Sequence, residues 1–134
     1  MIVVDTNVIH YCWVRGQHTK VAQAVRRQDP DWHAPMLWRS ELRNVLTAYL
    51  WRELMSRDQI LGILDAADQA LSGAEHIIAD ELVLDVVTVS MLSAYDAEFV
   101  ALAKALSVPL VTADKAVLKA FPDRALTMEA FVGR

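Results

Sequence analysis

The 134-residue sequence contains one cysteine, Cys12. That excludes an internal disulfide and any zinc site built on several thiolates, and it is compatible with a reducing, cytoplasmic setting. The glycines (Gly16, Gly62, Gly73 and Gly133) are isolated from one another, so no glycine-rich loop is available to cradle phosphates. The histidines (His10, His18, His33 and His76) lack HExxH spacing, and no GxSxG nucleophile elbow occurs. Each histidine reads as a surface or turn residue, and Cys12, within an apolar and aromatic run, reads as core. The most apolar stretch, residues 82–92, carries Asp85 and is too short to span a bilayer. The opening apolar run is too short for a secretion signal and has no basic leader. Positive charge is also scarce: 13 Lys and Arg against 17 Asp and Glu leave a net charge of −4, with an isoelectric point near 5.5. Binding of nucleic acid by general electrostatic attraction is thereby disfavoured. Contact with it would require a local basic surface or bridging metal ions.

Apolar residues are plentiful, at 54% of the chain, and the mean hydropathy of +0.24 is high for so small a domain. This predicts apolar surface covered by a partner, either a second copy or a different chain. Residues 1–134 read as one domain without repeats or a linker.

Ile2, Val3 and Val4 form a continuous β-branched run that stops at Asp5, Thr6 and Asn7. Such a run suits a central strand buried on both faces. The polar residues after it are either a plain turn or a site at the carboxyl edge of a sheet. Further strands are expected at 32–34, 74–78, 108–112 and 125–127. Between them, 8–14 reads as a short helix or turn, and 19–28 as a helix with Thr19 as its N-cap. The longest helical signal covers 36–55, where Leu42, Val45, Leu46, Tyr49 and Leu50 form a core-facing stripe. Ser56 with Gln59, and Ser93 with Asp96, have capping-box spacing and open two more helices. A helix is expected over 80–91, a short one to Ala120, and a terminal turn. Alternation of short strands and helices predicts an α/β domain, a parallel sheet with helices on both faces.

Four acids stand out by position. Asp5 and Asp114 each follow a predicted buried strand, Asp96 lies in the first turn of a capped helix, and Glu41 lies near the start of the long helix. In a parallel sheet whose strand order switches, these positions can converge on one crevice. Crowded carboxylates need a compensating cation, and oxygen-only ligands select magnesium or manganese. Singly, Asp96 reads equally as a cap and Glu41 as a solvated helix residue.

These residues are carried by Val3-Val4-Asp5-Thr6-Asn7, Ser40-Glu41-Leu42, Leu92-Ser93-Ala94-Tyr95-Asp96-Ala97 and Leu110-Val111-Thr112-Ala113-Asp114. With those motifs in that order, the chain resembles a PIN-domain protein, most closely a VapC-type toxin of a toxin–antitoxin pair. The resemblance implies a metal-dependent endoribonuclease. Asp5, Glu41, Asp96 and Asp114 would form its acidic pocket for Mg2+ or Mn2+, Glu41 binding metal or orienting water. Asn7 and Thr112, with Thr6, would hydrogen-bond around that pocket. Homodimers and a small antitoxin that lays a helix on apolar surface are also implied. Trp38 and Trp51 would serve such a contact or belong to ordinary core. Lys20, Arg39, Arg43 and Lys115 are candidates to contact RNA phosphates. Competing readings are a structure-specific DNA nuclease and a non-catalytic interaction module.

Overall fold

A computed structural model describes all residues, Met1–Arg134. The elements run β1 (Ile2–Val4), α1 (Thr6–Trp13), α2 (Thr19–Gln28), β2 (Trp32–Pro35), α3 (Trp38–Trp51), α4 (Arg57–Ala70) and β3 (Glu75–His76). They continue as α5 (Asp80–Ser90), α6 (Ala94–Leu106), β4 (Leu110–Val111), α7 (Lys115–Ala120), β5 (Ala125–Leu126) and α8 (Met128–Val132). The strands form one sheet in the order β3-β2-β1-β4-β5, and every pairing is parallel. This is the expected single α/β domain.

β1 occupies the centre because all three of its residues are apolar and buried, the pattern of a strand covered on both faces. The chain steps from β1 through β2 to β3, then returns along α5 and α6 to place β4 on the other flank of β1. The winding therefore reverses between β1 and β4, and the carboxyl ends of those two strands open a crevice. Helix α6 packs on β1, β2 and β4. Its buried Ala97, Ala101 and Ala103 let the backbone approach the sheet, while Phe99 and Leu102 fill the space beside them.

Several boundaries differ from expectation. The long helix is Trp38–Trp51, shorter than 36–55. Glu53 takes a left-handed φ of 57°, and Leu54 N–H donates to Tyr49 O at 2.9 Å while Glu53 N–H donates to Leu50 O at 3.0 Å. That is a Schellman closure made without glycine, so the sequence carries no stop signal. Thr19 is the first helical residue, and not the cap. Its hydroxyl donates to Val14 O and accepts from Gly16 N–H, both at 2.8 Å, and so pins the preceding loop. Ser56 and Gln59 form the full capping box. At Ser93 only half of the box is made, Asp96 N–H donating to Ser93 Oγ at 3.1 Å. The two tryptophans part company: Trp38 is 1% exposed and belongs to the core, whereas Trp51 is 81% exposed.

The two-residue edge strand β3 is fastened by side chains. Arg39 Nε and Nη2 donate to Glu75 Oε2 and Oε1 at 2.6 and 2.7 Å. Trp38 Nε1 donates to Glu75 Oε2 at 2.9 Å, and Arg39 also pairs with Asp68 on α4. The Arg39 guanidinium holds the Glu75 carboxyl below its ordinary range. Because that carboxylate is mostly buried, Glu75→Gln is expected to lower stability by about 1–2 kcal/mol in urea unfolding at pH 7. A lowered folded-state pKa gives stability that is present above the unfolded value and lost in acid. The deficit should therefore shrink as pH falls through the carboxylate range, and a deficit that is constant with pH would remove the ion pair from this role.

Candidate active site

Asp5 ends β1 and begins α1. Its Oδ1 accepts from Val8 N–H at 2.9 Å, the N-cap of α1. Its Oδ2 accepts from the Thr112 hydroxyl and from Ala113 N–H at 3.3 Å. Thr112 Oγ1 in turn accepts from Asp114 N–H at 3.0 Å. The carboxyl ends of β1 and β4 are thus laced together. Asp114 caps α7, its Oδ1 accepting from Ala116 and Val117 N–H at 2.8 and 3.2 Å, which leaves Oδ2 free. On the opposite wall, Thr6 Oγ1 donates to Glu41 Oε1 at 2.7 Å, joining α1 to α3.

These residues surround one cavity of about 190 Å³. Asp5, Glu41, Asp96 and Asp114 all line it, as do Thr6, Asn7 and Thr112. All seven residues expected at the acidic pocket are therefore brought to one place. Asn44, missed by sequence reasoning, also lines it. It lies one helical turn beyond Glu41, and that i+3 spacing was the available signal. Glu98 is a second omission: burial and the charge of Glu41 raise its pKa, but nothing in its sequence position marked it.

The cationic candidates are elsewhere. Lys20, Arg39, Arg43 and Lys115 do not line the cavity. Arg39 is engaged by Glu75 and Asp68, and Arg43 lines a separate small pocket with Trp38 and Leu64. The helix explains this. Residues two before and two after Glu41 project from the other side of α3, so neither arginine can share its face.

Three of the acids, Asp5, Glu41 and Asp96, hold their protons more tightly than ordinary carboxyls. Burial, with a smaller push from Asp114, raises Asp5 to about 6 against hydrogen bonds from Thr112, Val8 and Ala113. Burial and the Asp96 charge raise Glu41, and burial and the Asp114 charge raise Asp96. The carboxylates share the cavity without closing on a common point as a finished ligand set. Their chemistry nevertheless suits a hard divalent cation: every available donor is oxygen, and the excess charge is negative. Asp5 retains acceptor capacity beyond its three hydrogen bonds, and Glu41 Oε2 and Asp114 Oδ2 are uncommitted.

The sequence matches the PIN domain over residues 2–122. The chain belongs to the PIN-domain family. PIN domains are generally metal-dependent nucleases. Among solved structures, it is similar to PAE2754 from Pyrobaculum aerophilum, with a TM-score of 0.73 over 99% of this chain and 94% of that one. At 18% identity, that likeness establishes the fold alone. No curated protein sequence matches the chain.

The state of Asp5 gives a test. Its folded-state pKa of about 6 lies above the ordinary value of 3.8. The folded chain therefore keeps a proton that the unfolded chain releases, and stability from this group is lost as pH rises through about 6. At pH 8 the buried anion costs on the order of 2–3 kcal/mol. Without added metal, Asp5→Asn should melt at or above the wild-type temperature at pH 8, with the gain shrinking toward pH 4. A lower melting temperature for Asp5→Asn at pH 8 would instead show that the hydrogen bonds accepted by the Asp5 carboxylate outweigh the cost of its buried charge.

Proposed function

We propose that this PIN domain is an endoribonuclease that hydrolyses RNA phosphodiester bonds, and that it acts as the toxin of a toxin–antitoxin pair of the VapC type. The observation that carries the nuclease reading is the set of four carboxylates, from four different elements, lining one cavity without a cation among them. Asp5, Asp96 and Asp114 would hold Mg2+ or Mn2+, with Glu41 either joining them or orienting water. When bound, such an ion makes water more acidic and stabilises charge on the phosphoryl oxygens. The ion would also offset the repulsion between the acidic cavity and an anionic backbone.

The chain's own residues supply the rest. Asp5 is fixed from three directions, so its position is set before substrate arrives. Glu41, oriented by Thr6 and with a raised pKa, is suited to take the proton of an attacking water. Water adds to phosphorus as Glu41 takes its proton, the bond to the leaving ribose oxygen breaks, and that oxygen takes a proton from solvent while Glu41 returns its own. Asn7 and Asn44 at the cavity wall offer neutral amide donors to phosphate oxygens.

Exposed apolar residues support a protein partner. Trp51 and Leu54 are 81% and 64% exposed at the α3–α4 corner, beside an apolar groove lined by Trp13, Met55 and Ile63. We assign that corner to a small antitoxin and retain the homodimer as a proposal. No single helix is long and apolar enough to cross a membrane, and the cytoplasm is the proposed location.

With Mn2+ at pH 8, the wild-type chain should cleave a single-stranded or looped RNA, while Asp5→Asn, Asp96→Asn and Asp114→Asn each lose about 100-fold or more in rate. A flap DNA run in parallel decides the substrate, since cleavage of DNA but not RNA would overturn the ribonuclease reading. Mn2+ should also raise the wild-type melting temperature, and should do so more at pH 8 than at pH 5, where protons compete for the same oxygens. Absence of any manganese effect on melting or cleavage would refute the metal assignment.

A further inference from the structure

The proposed substrate poses a problem that the acidic cavity does not solve. A polyanion must be held beside four carboxylates by a chain of net charge −4, and no lysine or arginine lines the cavity. Affinity must then come largely from contacts that do not depend on charge.

Such contacts exist on the outer side of α1. Asn7 lines the cavity, and Tyr11, one helical turn further on, lies on the same stripe of the helix. His10 stands one turn beyond Thr6 in the same way. Four rings run on from these positions in unbroken contact. Tyr49 and His10 have centroids 5.8 Å apart, and His10 Nε2 lies 3.1 Å from the Tyr49 hydroxyl. His10 and Tyr11 are 5.4 Å apart, and Tyr11 and His18 are 4.5 Å apart. All four are part-exposed. None of the four rings lines the cavity itself, and the strip adjoins it through Thr6 and Asn7, one turn back along α1. At its far end Arg15 and Lys20 are exposed close to His18 in sequence.

Resting on the ribonuclease reading, we infer that Tyr11 and His18, braced by the His10–Tyr49 pair, form a platform on which unpaired RNA bases stack beside the cavity. The rings suit this because every base presents a π face, so stacking grips a single strand without selecting its sequence. Burial lowers the His10 pKa, which favours an uncharged ring there. Stacking also requires bases that are not paired, so the platform directs cleavage to loops and single strands and away from duplex.

The probe is a fluorescein-labelled, unstructured RNA octamer, read by anisotropy with the full chain in EDTA so that no cleavage occurs. Tyr11→Ala should weaken binding by about tenfold or more, and His18→Ala by a smaller factor. Tyr11→Phe should bind as wild type, because the ring and not the hydroxyl is used. An octamer of abasic residues should bind wild type no better than the intact octamer binds Tyr11→Ala. The Tyr11→Ala deficit should persist at high salt, where phosphate contacts are screened. Wild-type binding by Tyr11→Ala and His18→Ala overturns the platform, as does equal loss in Tyr11→Ala and Tyr11→Phe. Because Tyr11 packs partly on the core, the more peripheral His18→Ala keeps the test valid if Tyr11→Ala melts early. The two readings fail differently. Manganese-dependent RNA cleavage that is unaffected in both alanine variants sinks only the platform, whereas absence of RNA cleavage in wild type sinks the ribonuclease reading.

Discussion

A single carboxylate, shared between the two central strands, organises the molecule. Asp5 terminates β1, caps α1 and accepts the Thr112 hydroxyl from the end of β4. Three structural tasks therefore fall on a group whose own ionisation is disfavoured by burial. The hydrogen bonds make the burial tolerable, and the burial makes the group responsive to a cation. Placement at the switch between β1 and β4 is what allows one side chain to do all of this, because only there do neighbouring strands diverge toward their next elements.

The same economy recurs around the cavity. Asp114 is at once a helix cap and a cavity wall, and Glu41 joins α1 to α3 through Thr6 while keeping one oxygen free. Capping fixes Asp114 through one oxygen and leaves the other available, and the Thr6 hydroxyl does the same for Glu41. Local folding preferences and site construction are thus satisfied by the same atoms. The carboxylates are presented rigidly, although they do not close on one point.

Much of this was legible in the sequence, for physical reasons that also explain the failures. An uninterrupted β-branched run ending in Asp5 can be little other than a buried central strand that stops at the carboxyl end of its sheet, and Ser56 with Gln59 has the spacing of a helix start. The four acids could be assembled because each occupied a strand end or a first helical turn. Helix ends were harder, since Glu53, Met91 and Ser107 adopt left-handed φ without being glycine. Tertiary packing imposes those turns, and composition does not announce them. The start of β4 was placed too early for a related reason: Val108 is apolar, but its N–H closes α6 by donating to Ala103 O and does not join the sheet. The arginines misled because charge was read without helical phase, and a spacing of two from Glu41 points the wrong way.

The hydrogen bond between Asp5 and Thr112 spans 107 positions in the sequence. Proteins are synthesised from the amino end, so the first acid of the site leaves the ribosome long before its structural counterpart exists. A nascent chain that has not yet exposed β4 lacks both Thr112 and Asp114, and its remaining acids have no completed crevice to occupy. Competence is consequently deferred until β4 and Asp114 have emerged. For a protein proposed to cut RNA, that order keeps the growing chain inert beside the message and ribosome that produce it.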